Sequence, residues 1–340
     1  MTRLFAGLRY QHGEGFVEGW LEHDGARVVR QGEGDPPGTA EARGLLVPAP
    51  VNGHTHVGDR VARGQVPAGL PLADVVAPPD GFKHRVLRDT PRARLVTGMQ
   101  RALDEMVAAG SRTCFDFREQ GPDGVRMLRE ATRDTRAHTI ALGRPSSDDD
   151  EGLRRVLEVA DGLGISGLGD SSGDTPERAA QAAHWANKCL AIHFSEARRE
   201  DVGRVLSLKP DFLVHVTQAD KDDLTAIAAA GTPIVLCPRS NARFGTAPDL
   251  PSMHALDIPL ALGSDNAMFH DLGVWAEAAL LARAHPDHHA AILAALLEGG
   301  LRLGVDRQDW LVVDATPQSL LQEPPRIVAR SWDALPAPSR

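Results

Sequence analysis

Aromatic side chains and cysteine are scarce in this chain, and each scarcity argues against a class of site. Phe, Tyr and Trp make up 4% of the 340 residues, so we do not expect a surface that stacks bases or sugar rings. The three cysteines, Cys114, Cys189 and Cys237, lie in separate apolar stretches without a CxxC spacing. This placement is typical of buried reduced thiols rather than of disulfides or a thiolate metal site.

An excess of basic charge and long apolar runs are also missing. The formal net charge is −9 and the pI is about 5.9, whereas a nucleic-acid surface usually carries a basic stripe. No stretch approaches the roughly 18 apolar residues of a membrane helix, and the opening MTRLFAGLRYQHGEGF has no apolar signal core. We therefore expect a cytoplasmic protein that binds neither nucleic acid nor membrane. The sequence leaves a homo-oligomer open.

The chain alternates between short apolar runs and helical segments. Eight runs predict strands, and they lie at 44–56, 111–117, 137–143, 163–170, 189–196, 212–217, 232–238 and 259–265. Repeated strand–helix alternation predicts a parallel sheet, and eight units favour an α/β fold of the (β/α)₈ TIM-barrel type. An open doubly wound sheet is the alternative, but the Gly-rich phosphate loop after the first strand is missing.

Three of the intervening segments carry helix-end signals. Residues 92–110 close on Gly110, and residues 175–188 begin with Thr175 as N-cap and a proline in the first turn. Residues 220–231 begin with an acidic cap and end on Gly231. The two ends of the chain are β-rich instead, and we expect residues 1–46 and 305–340 to pair as one small β-domain beside a barrel of residues 47–304.

The first predicted strand ends in NGHTH, where His54 and His56 lie one residue apart. About 0.6 His-x-His pairs are expected by chance from 14 histidines in 340 residues. The pair alone is therefore either two incidental histidines or half of a metal site. Residues i and i+2 of a strand share a face, so both imidazoles can point at one ion. We interpret Asn52 and Gly53 as the bend that brings this strand end to the barrel mouth.

Later predicted strands also end in polar side chains. These are His193 and Glu196 after the fifth strand, His215 after the sixth, and Asp265 after the eighth. In a barrel, all these strand ends meet at the mouth that carries active sites. Three neutral imidazoles and one carboxylate suit Zn²⁺ or another divalent first-row metal with an open water position. Such a metal yields a hydroxide nucleophile near neutral pH.

The remaining polar groups have roles in the same chemistry and also simpler explanations. Glu196 can shuttle a proton to a leaving group, and His215 can stabilise developing charge or take part in proton transfer. A single strand histidine is more often a hydrogen-bonded core residue, and an Asp after a strand usually caps a helix. Only the joint occurrence at several strand ends favours a site. The cluster HPDHH at 285–289 follows no strand and is interpreted as solvated.

The sequence resembles the amidohydrolase superfamily, in its branch of cytosine-deaminase-related and chlorohydrolase-like metal-dependent hydrolases. The resemblance rests on PVNGHTH, IHFSE, LVHVT, CPRSN and LALGSDN, spread in the family's order over roughly residues 44–270. It implies a barrel with a small β-sandwich domain formed by the two termini.

The resemblance also implies residue roles. Metal ligands would be His54, His56, His193 and Asp265. Glu196 would be the acid/base carboxylate, and His215 would polarise the substrate or the attacking water. Asp265 would also accept the proton of that water.

A single metal is expected, because the third and fourth predicted strands lack the lysine of the two-metal branch, and Lys188 lies at the wrong end of its strand. Zn²⁺ is expected before Fe²⁺.

The predicted function is that of a mononuclear metal-dependent hydrolase that deaminates an amino-substituted heterocycle. Hydrolysis of an amide, cyclic amide or formimino group is the alternative within enzymes, and a non-catalytic metal- or ligand-binding barrel is the alternative of another class. We expect a small polar substrate. The candidate substrate contacts are Arg239, Asn241, Gln218, Arg60 and Arg118, with Glu119 and Asp59 beside them, and residues 60–90 are long enough for a lid.

Overall fold

A computed structural model describes residues 2–145, 149–170, 173–306 and 308–333, which form two sheets. The larger sheet contains nine parallel strands: β5 (Asn52–His56), β6 (Thr113–Arg118), β7 (His138–Gly143), β8 (Gly162–Ile165), β9 (Cys189–Phe194), β10 (Phe212–His215), β11 (Ile234–Leu236), β12 (Leu260–Leu262) and β13 (Asp265–Asn266).

The larger sheet closes on itself. Strand β12 pairs with β11, and β13, which follows it directly in the chain, pairs with β5 so that Asp265 lies opposite Thr55. β12 and β13 are therefore two parts of one last strand, and the sheet is an eight-stranded barrel. This confirms the predicted (β/α)₈ fold. Closure also places the Asp265 end of the last strand beside the histidines of the first.

Helices surround the barrel, with short 3₁₀ turns at Val57–Ala62, Leu168–Asp170 and Pro286–His288. The helices are α1 (Leu72–Val76), α2 (Phe82–Asp89), α3 (Arg92–Ala108), α4 (Gly121–Arg133), α5 (Asp150–Leu157), α6 (Thr175–Trp185), α7 (Val202–Ser207), α8 (Lys221–Ala230), α9 (Pro238–Arg243), α10 (Leu250–Ala255), α11 (Val274–Ala284) and α12 (His289–Arg302). Within the described ranges, none of these helices combines the length and apolar character needed to span a membrane.

The predicted helix ends agree with the structure in two of three cases. Gly110 has φ +95° just after α3, and α8 starts at a capping box on Asp220 and stops at the left-handed Gly231. The N-cap of α6 is Asp174, and Thr175 is already helical. The sequence could not show whether Asp174 or Thr175 is the N-cap, because Asp and Thr both cap helices well.

The smaller sheet joins the two ends of the chain. Its strands are β1 (Arg3–Gln11), β2 (Gly15–His23), β3 (Val28–Glu33), β4 (Ala42–Pro48), β14 (Trp310–Asp314) and β15 (Arg326–Arg330). They lie in the order β15-β14-β4-β1-β2-β3. Phe5, Leu21, Leu46, Val312 and Ala329 form its buried cluster. The domain limits 1–46 and 305–340 stay a prediction, and residues 1, 307 and 334–340 lie outside the described residues.

The predicted first strand, 44–56, is two strands in two sheets. β4 pairs with β1 and β14, whereas β5 pairs with β6 and β13. Pro48 and Pro50 lie at the junction, and proline cannot donate a ladder hydrogen bond. The chain therefore passes from the smaller sheet to the larger one within a single apolar run of the sequence.

Candidate metal centre

The two histidines of the first barrel strand lie beside the carboxylate of the last. The Oδ1 atom of Asp265 is 3.2 Å from Nε2 of His54 and 3.6 Å from Nε2 of His56. Metal–ligand distances near 2 Å place neighbouring ligand atoms about 3.3 Å apart in a tetrahedron. These spacings therefore fit a shared divalent ion.

The third candidate ligand, His193, joins them from β9. Its Nδ1 donates to the carbonyl of Ile165 at 2.8 Å, so its Nε2 carries the lone pair. His54, His56 and His193 offer ligand atoms within 4.8 Å of one another, as do His54, His215 and Asp265. The structure thus brings together the four predicted ligands, with His215 alongside them.

Burial keeps two of these imidazoles neutral at pH 7. It lowers the pKa of His54 to about 3 and holds the pKa of His193 well below its usual value. Burial opposes ionisation of Asp265, but the hydrogen bond with His54 holds the pKa of Asp265 well below its usual range. Neutral imidazole and ionised carboxylate are the forms that bind a divalent metal.

The acid/base candidate faces a histidine across the centre. Oε1 of Glu196 lies 3.5 Å from Nε2 of His215, and Asn241 contacts Nδ1 of the same ring at 3.1 Å. Burial raises the pKa of Glu196, although the neighbouring His215 opposes the rise. A carboxyl group with a raised pKa can exchange a proton closer to neutral pH.

Left-handed backbone turns mark the ends of three site strands. Ser195, His215 and Asp265 have φ values of +48°, +73° and +55°, a region that non-glycine residues rarely adopt. Such strain of about 1–3 kcal/mol per residue is held only where the surroundings fix it. Here Ser240 donates to Oδ2 of Asp265 and fixes that carboxylate against the barrel wall.

A cavity of about 100 Å³ opens at the centre. Among the residues that the structure describes, its lining contains no aromatic ring apart from imidazoles: His56, Val76, Lys83, Arg144, Ser166, Gly167, His193, Glu196, Ala197, Arg198, Glu200, His215, Asp265 and Asn266. Val76 and Lys83 come from α1 and α2, inside the predicted lid segment 60–90. The position of this segment makes it a wall of the pocket.

The five residues predicted to contact substrate are not among those lining the pocket. Arg60 pairs with Glu105 on α3 at 3.0 Å. The side chain of Gln218 contacts the hydroxyl of its neighbour Thr217, at 3.5 Å, and Asn241 supports His215.

The two other arginines of that prediction form buried ion pairs. Arg239 binds the fully buried Glu277, with Nε 2.6 Å from Oε1. Arg118 is fully buried and pairs with Asp116 and Glu119. Sequence identified these arginines as lying near strand ends, but the direction of each side chain depends on carboxylates from elsewhere in the chain.

Sequence reasoning missed Lys83, which is 3% exposed and contacts the centre from α2. Its Nζ lies 2.6 Å from Glu119, 3.3 Å from Asp59 and 3.4 Å from Nδ1 of His56. Oε1 of Glu119 also lies 3.0 Å from Nδ1 of His56. No motif marks Lys83, because it lies in a segment without a strand.

Asn52, interpreted from the sequence as part of a bend, is the first residue of strand β5 and has another role. Asn52 donates to Ser264 Oγ at 2.7 Å and to the Leu272 carbonyl at 3.0 Å. It therefore joins the first strand to the last. A Cβ atom on Gly53 would lie 2.9 Å from Leu303, so this glycine permits close packing inside the barrel.

Comparison of the chain with known proteins gives relatives among archaeal proteins. A protein of Methanothermobacter thermautotrophicus with a provisional aminohydrolase name is 38% identical over 247 residues, 66% of this chain and 64% of its own. A 5-methylthioadenosine/S-adenosylhomocysteine deaminase of Haloquadratum walsbyi is 26% identical over 76% of this chain and 65% of its own. The matches thus span less than two thirds of either relative.

Solved structures share the fold at low identity. An adenosine deaminase from Xanthomonas campestris with bound zinc superposes with a TM-score of 0.75 at 18% identity, over 94% of this chain and 88% of its own. An atrazine chlorohydrolase from Arthrobacter aurescens complexed with zinc gives 0.74 at 16% identity, over 94% and 90%. The model of the Amidohydrolase family matches residues 45–297. Because this match covers most of the chain, the chain belongs to the amidohydrolase family.

Proposed function

We propose that the protein is a metal-dependent hydrolase of non-peptide C–N bonds that uses one divalent metal, Zn²⁺, to release ammonia from an amino-substituted heterocycle. The observation that carries this proposal is the pair Glu196 and His215, 3.5 Å apart beside the candidate ligands. Metal binding alone needs neither residue, whereas hydrolytic deamination needs a proton carrier next to the attacked carbon.

The metal would be held by His54, His56, His193 and Asp265. When bound, it would supply Lewis acidity and lower the pKa of water toward 7. Asp265 would accept a proton at its carboxylate, which Ser240 orients. Its contacts with the imidazoles of β5 would keep it beside the same ion.

Glu196 would carry the proton to the substrate. Its raised pKa suits a group that first takes a proton and then delivers it to a ring nitrogen or to the departing amine. His215, supported by Asn241 at Nδ1, would donate from Nε2 to negative charge that develops on the attacked group. Balanced overall, water replaces the amino group and ammonia leaves.

The names of several relatives support deamination. One relative is called a 5-methylthioadenosine/S-adenosylhomocysteine deaminase, and two structural neighbours are called adenosine and guanine deaminases. The small cavity without aromatic walls favours a compact polar group at the reacting end.

Ammonia release tests the proposal directly. Purified protein is assayed for metal content and then, loaded with Zn²⁺, against a panel of amino-pyrimidines, amino-purines, amino-triazines, amides and cyclic amides. We expect ammonia from an amino-heterocycle and no turnover after chelation. Protein that binds no divalent metal, even on reconstitution, would refute the proposal.

The same panel separates the alternatives. If an amide or cyclic amide yields a carboxylate while no amino-heterocycle releases ammonia, the protein is an amide or cyclic amide hydrolase. Stoichiometric metal without turnover on any substrate would favour a binding barrel.

A further inference from the structure

Behind His56, on the side away from Asp265, three buried charged side chains meet. Asp59, Lys83 and Glu119 are 0%, 3% and 4% exposed. The Nζ atom of Lys83 lies within 3.4 Å of an atom of each neighbour: Glu119, Asp59 and the Nδ1 atom of His56. The ammonium is thus enclosed by two carboxylates and an imidazole.

Asp59 shows that this cluster is built around a cation. Both of its carboxylate oxygens are fully buried and have no hydrogen-bond partner among the described residues. The negative charge of Asp59 is compensated by an ion pair with Lys83, whose Nζ lies 3.3 Å from Oδ2. An ionised carboxylate in such surroundings strongly destabilises the fold unless a cation faces it.

The three groups around the ammonium are also a donor set for a metal. His56, Asp59 and Glu119 offer ligand atoms within 4.8 Å of one another, and one imidazole with two carboxylates is a combination that divalent first-row metals accept. His56 faces both clusters, with Nε2 toward Asp265 and Nδ1 toward Glu119. To bind a metal through both nitrogens, the ring would lose its Nδ1 proton to solvent.

We propose that Lys83 takes the place of a second metal ion. Its ammonium fills a cation site formed by His56, Asp59 and Glu119 and so limits the centre to one divalent metal. The inference rests on the proposed function in one respect, namely that one divalent metal binds at the centre.

The ion pairs show what the charge of Lys83 contributes. Arg118 pairs with both Asp116 and Glu119, whereas Asp59 has its ion pair with Lys83. Without Lys83, the site would hold an uncompensated carboxylate with an open position beside it. A divalent cation would then provide what the ammonium provides in the native chain.

Metal stoichiometry tests the proposal without any need for turnover. Equilibrium dialysis against Mn²⁺ and Zn²⁺ is measured for the native chain, Lys83→Ala, Lys83→Ala combined with Asp59→Asn, and Arg85→Ala. Arg85 lies on the exposed side of the same helix, so its variant is the matched control. We expect one additional equivalent in Lys83→Ala, loss of that equivalent when Asp59→Asn is added, and no change in Arg85→Ala.

Lys83→Gln keeps a polar side chain without the charge and covers the case in which Lys83→Ala does not fold. It should gain the same additional equivalent and a Tm that rises with Mn²⁺ more than the Tm of the native chain. An unchanged stoichiometry in the folded Lys83 variants, or a gain that persists with Asp59→Asn, overturns the proposal. If the native chain bound no metal, the proposed function would fail, whereas an Asp59-dependent gain would still support the role of Lys83.

Discussion

The imidazole of His193 is oriented by one hydrogen bond, from Nδ1 to the carbonyl of Ile165 at 2.8 Å. Removing the ring in His193→Ala should lower Zn²⁺ affinity by more than about 100-fold, because losing even a supporting partner of a ligand typically costs about 10–100-fold. Circular dichroism should show a folded barrel. The control is His184→Ala, an exposed histidine on α6. Full zinc occupancy in His193→Ala would remove this residue from the ligand set.

Unlike His193, Glu196 should be needed for turnover and not for metal binding. We expect Glu196→Gln to retain stoichiometric Zn²⁺ and to lose about 10²-fold or more in kcat, because the amide cannot carry a proton. Ammonia release and metal content are measured on the same sample, with the exposed Glu151→Gln as control. Native turnover in Glu196→Gln would disprove its acid/base role.

At the scale of elements, Arg239 joins two helices. From the first turn of α9 it binds Glu277 on α11 through Nε and through its backbone N–H. Burial raises the pKa of Glu277 from 4.5 to about 7 although Arg239 opposes the rise. The folded chain therefore binds this proton more tightly than the unfolded chain, so this group makes stability fall as the pH rises from about 4.5 to 7.

Arg239→Leu should destabilise the fold more at pH 8 than at pH 6. Above pH 7 the native carboxylate ionises beside Arg239, whereas the variant must keep its proton or bury an unpaired charge, at a cost of up to about 3–5 kcal/mol. Urea unfolding at the two pH values measures the difference, and Arg239→Leu combined with Glu277→Leu should recover most of the loss. A cost that does not depend on pH would contradict this account.

The first barrel strand gives a second test at this scale. In Gly53→Val, the new side chain would press on Leu303 and Val235, which would lie 2.9 and 3.1 Å from its Cβ. Overpacking of this kind costs about 1–3 kcal/mol, and it would also displace His54 next in the strand. We expect lower stability and lower zinc occupancy, with Gly38→Val, at an exposed position, unaffected. Full metal occupancy in Gly53→Val would show that the glycine is dispensable.

At the scale of the molecule, the terminal sheet and the barrel are tied together. Tyr10 on β1 donates to Glu298 on α12 at 2.7 Å, and Arg112 next to β6 bonds Asp309 next to β14 at 2.9 Å. β4 also leads directly into the ligand strand β5. We therefore expect both parts to unfold in one transition.

Val312→Asp tests this coupling. Val312 is 2% exposed in the terminal sheet, so the buried charge should cost at least about 3 kcal/mol. The midpoints of zinc release and of the loss of sheet structure should then shift together to a lower denaturant concentration. Val29→Asp, at a position 46% exposed in the same sheet, is the control. Two separate transitions would show that the sheet and barrel are independent.

Local sequence determined the parts of this protein that depend on local patterning. The alternation of apolar runs and helices predicted the barrel, and period-two spacing placed His54 and His56 on one face. The rule that strand ends share one mouth then added His193, Glu196, His215 and Asp265. These features follow from chain order and backbone geometry alone.

Tertiary structure decided where long side chains point and what neutralises them. Arg118 and Arg239 bind buried carboxylates instead of lining the pocket, and Lys83 reaches the centre from a helix that no motif marks. A buried charge takes its partner from whatever part of the chain lies next to it, because leaving it unpaired costs several kcal/mol. Such pairings join residues far apart in sequence, so only the folded chain reveals them.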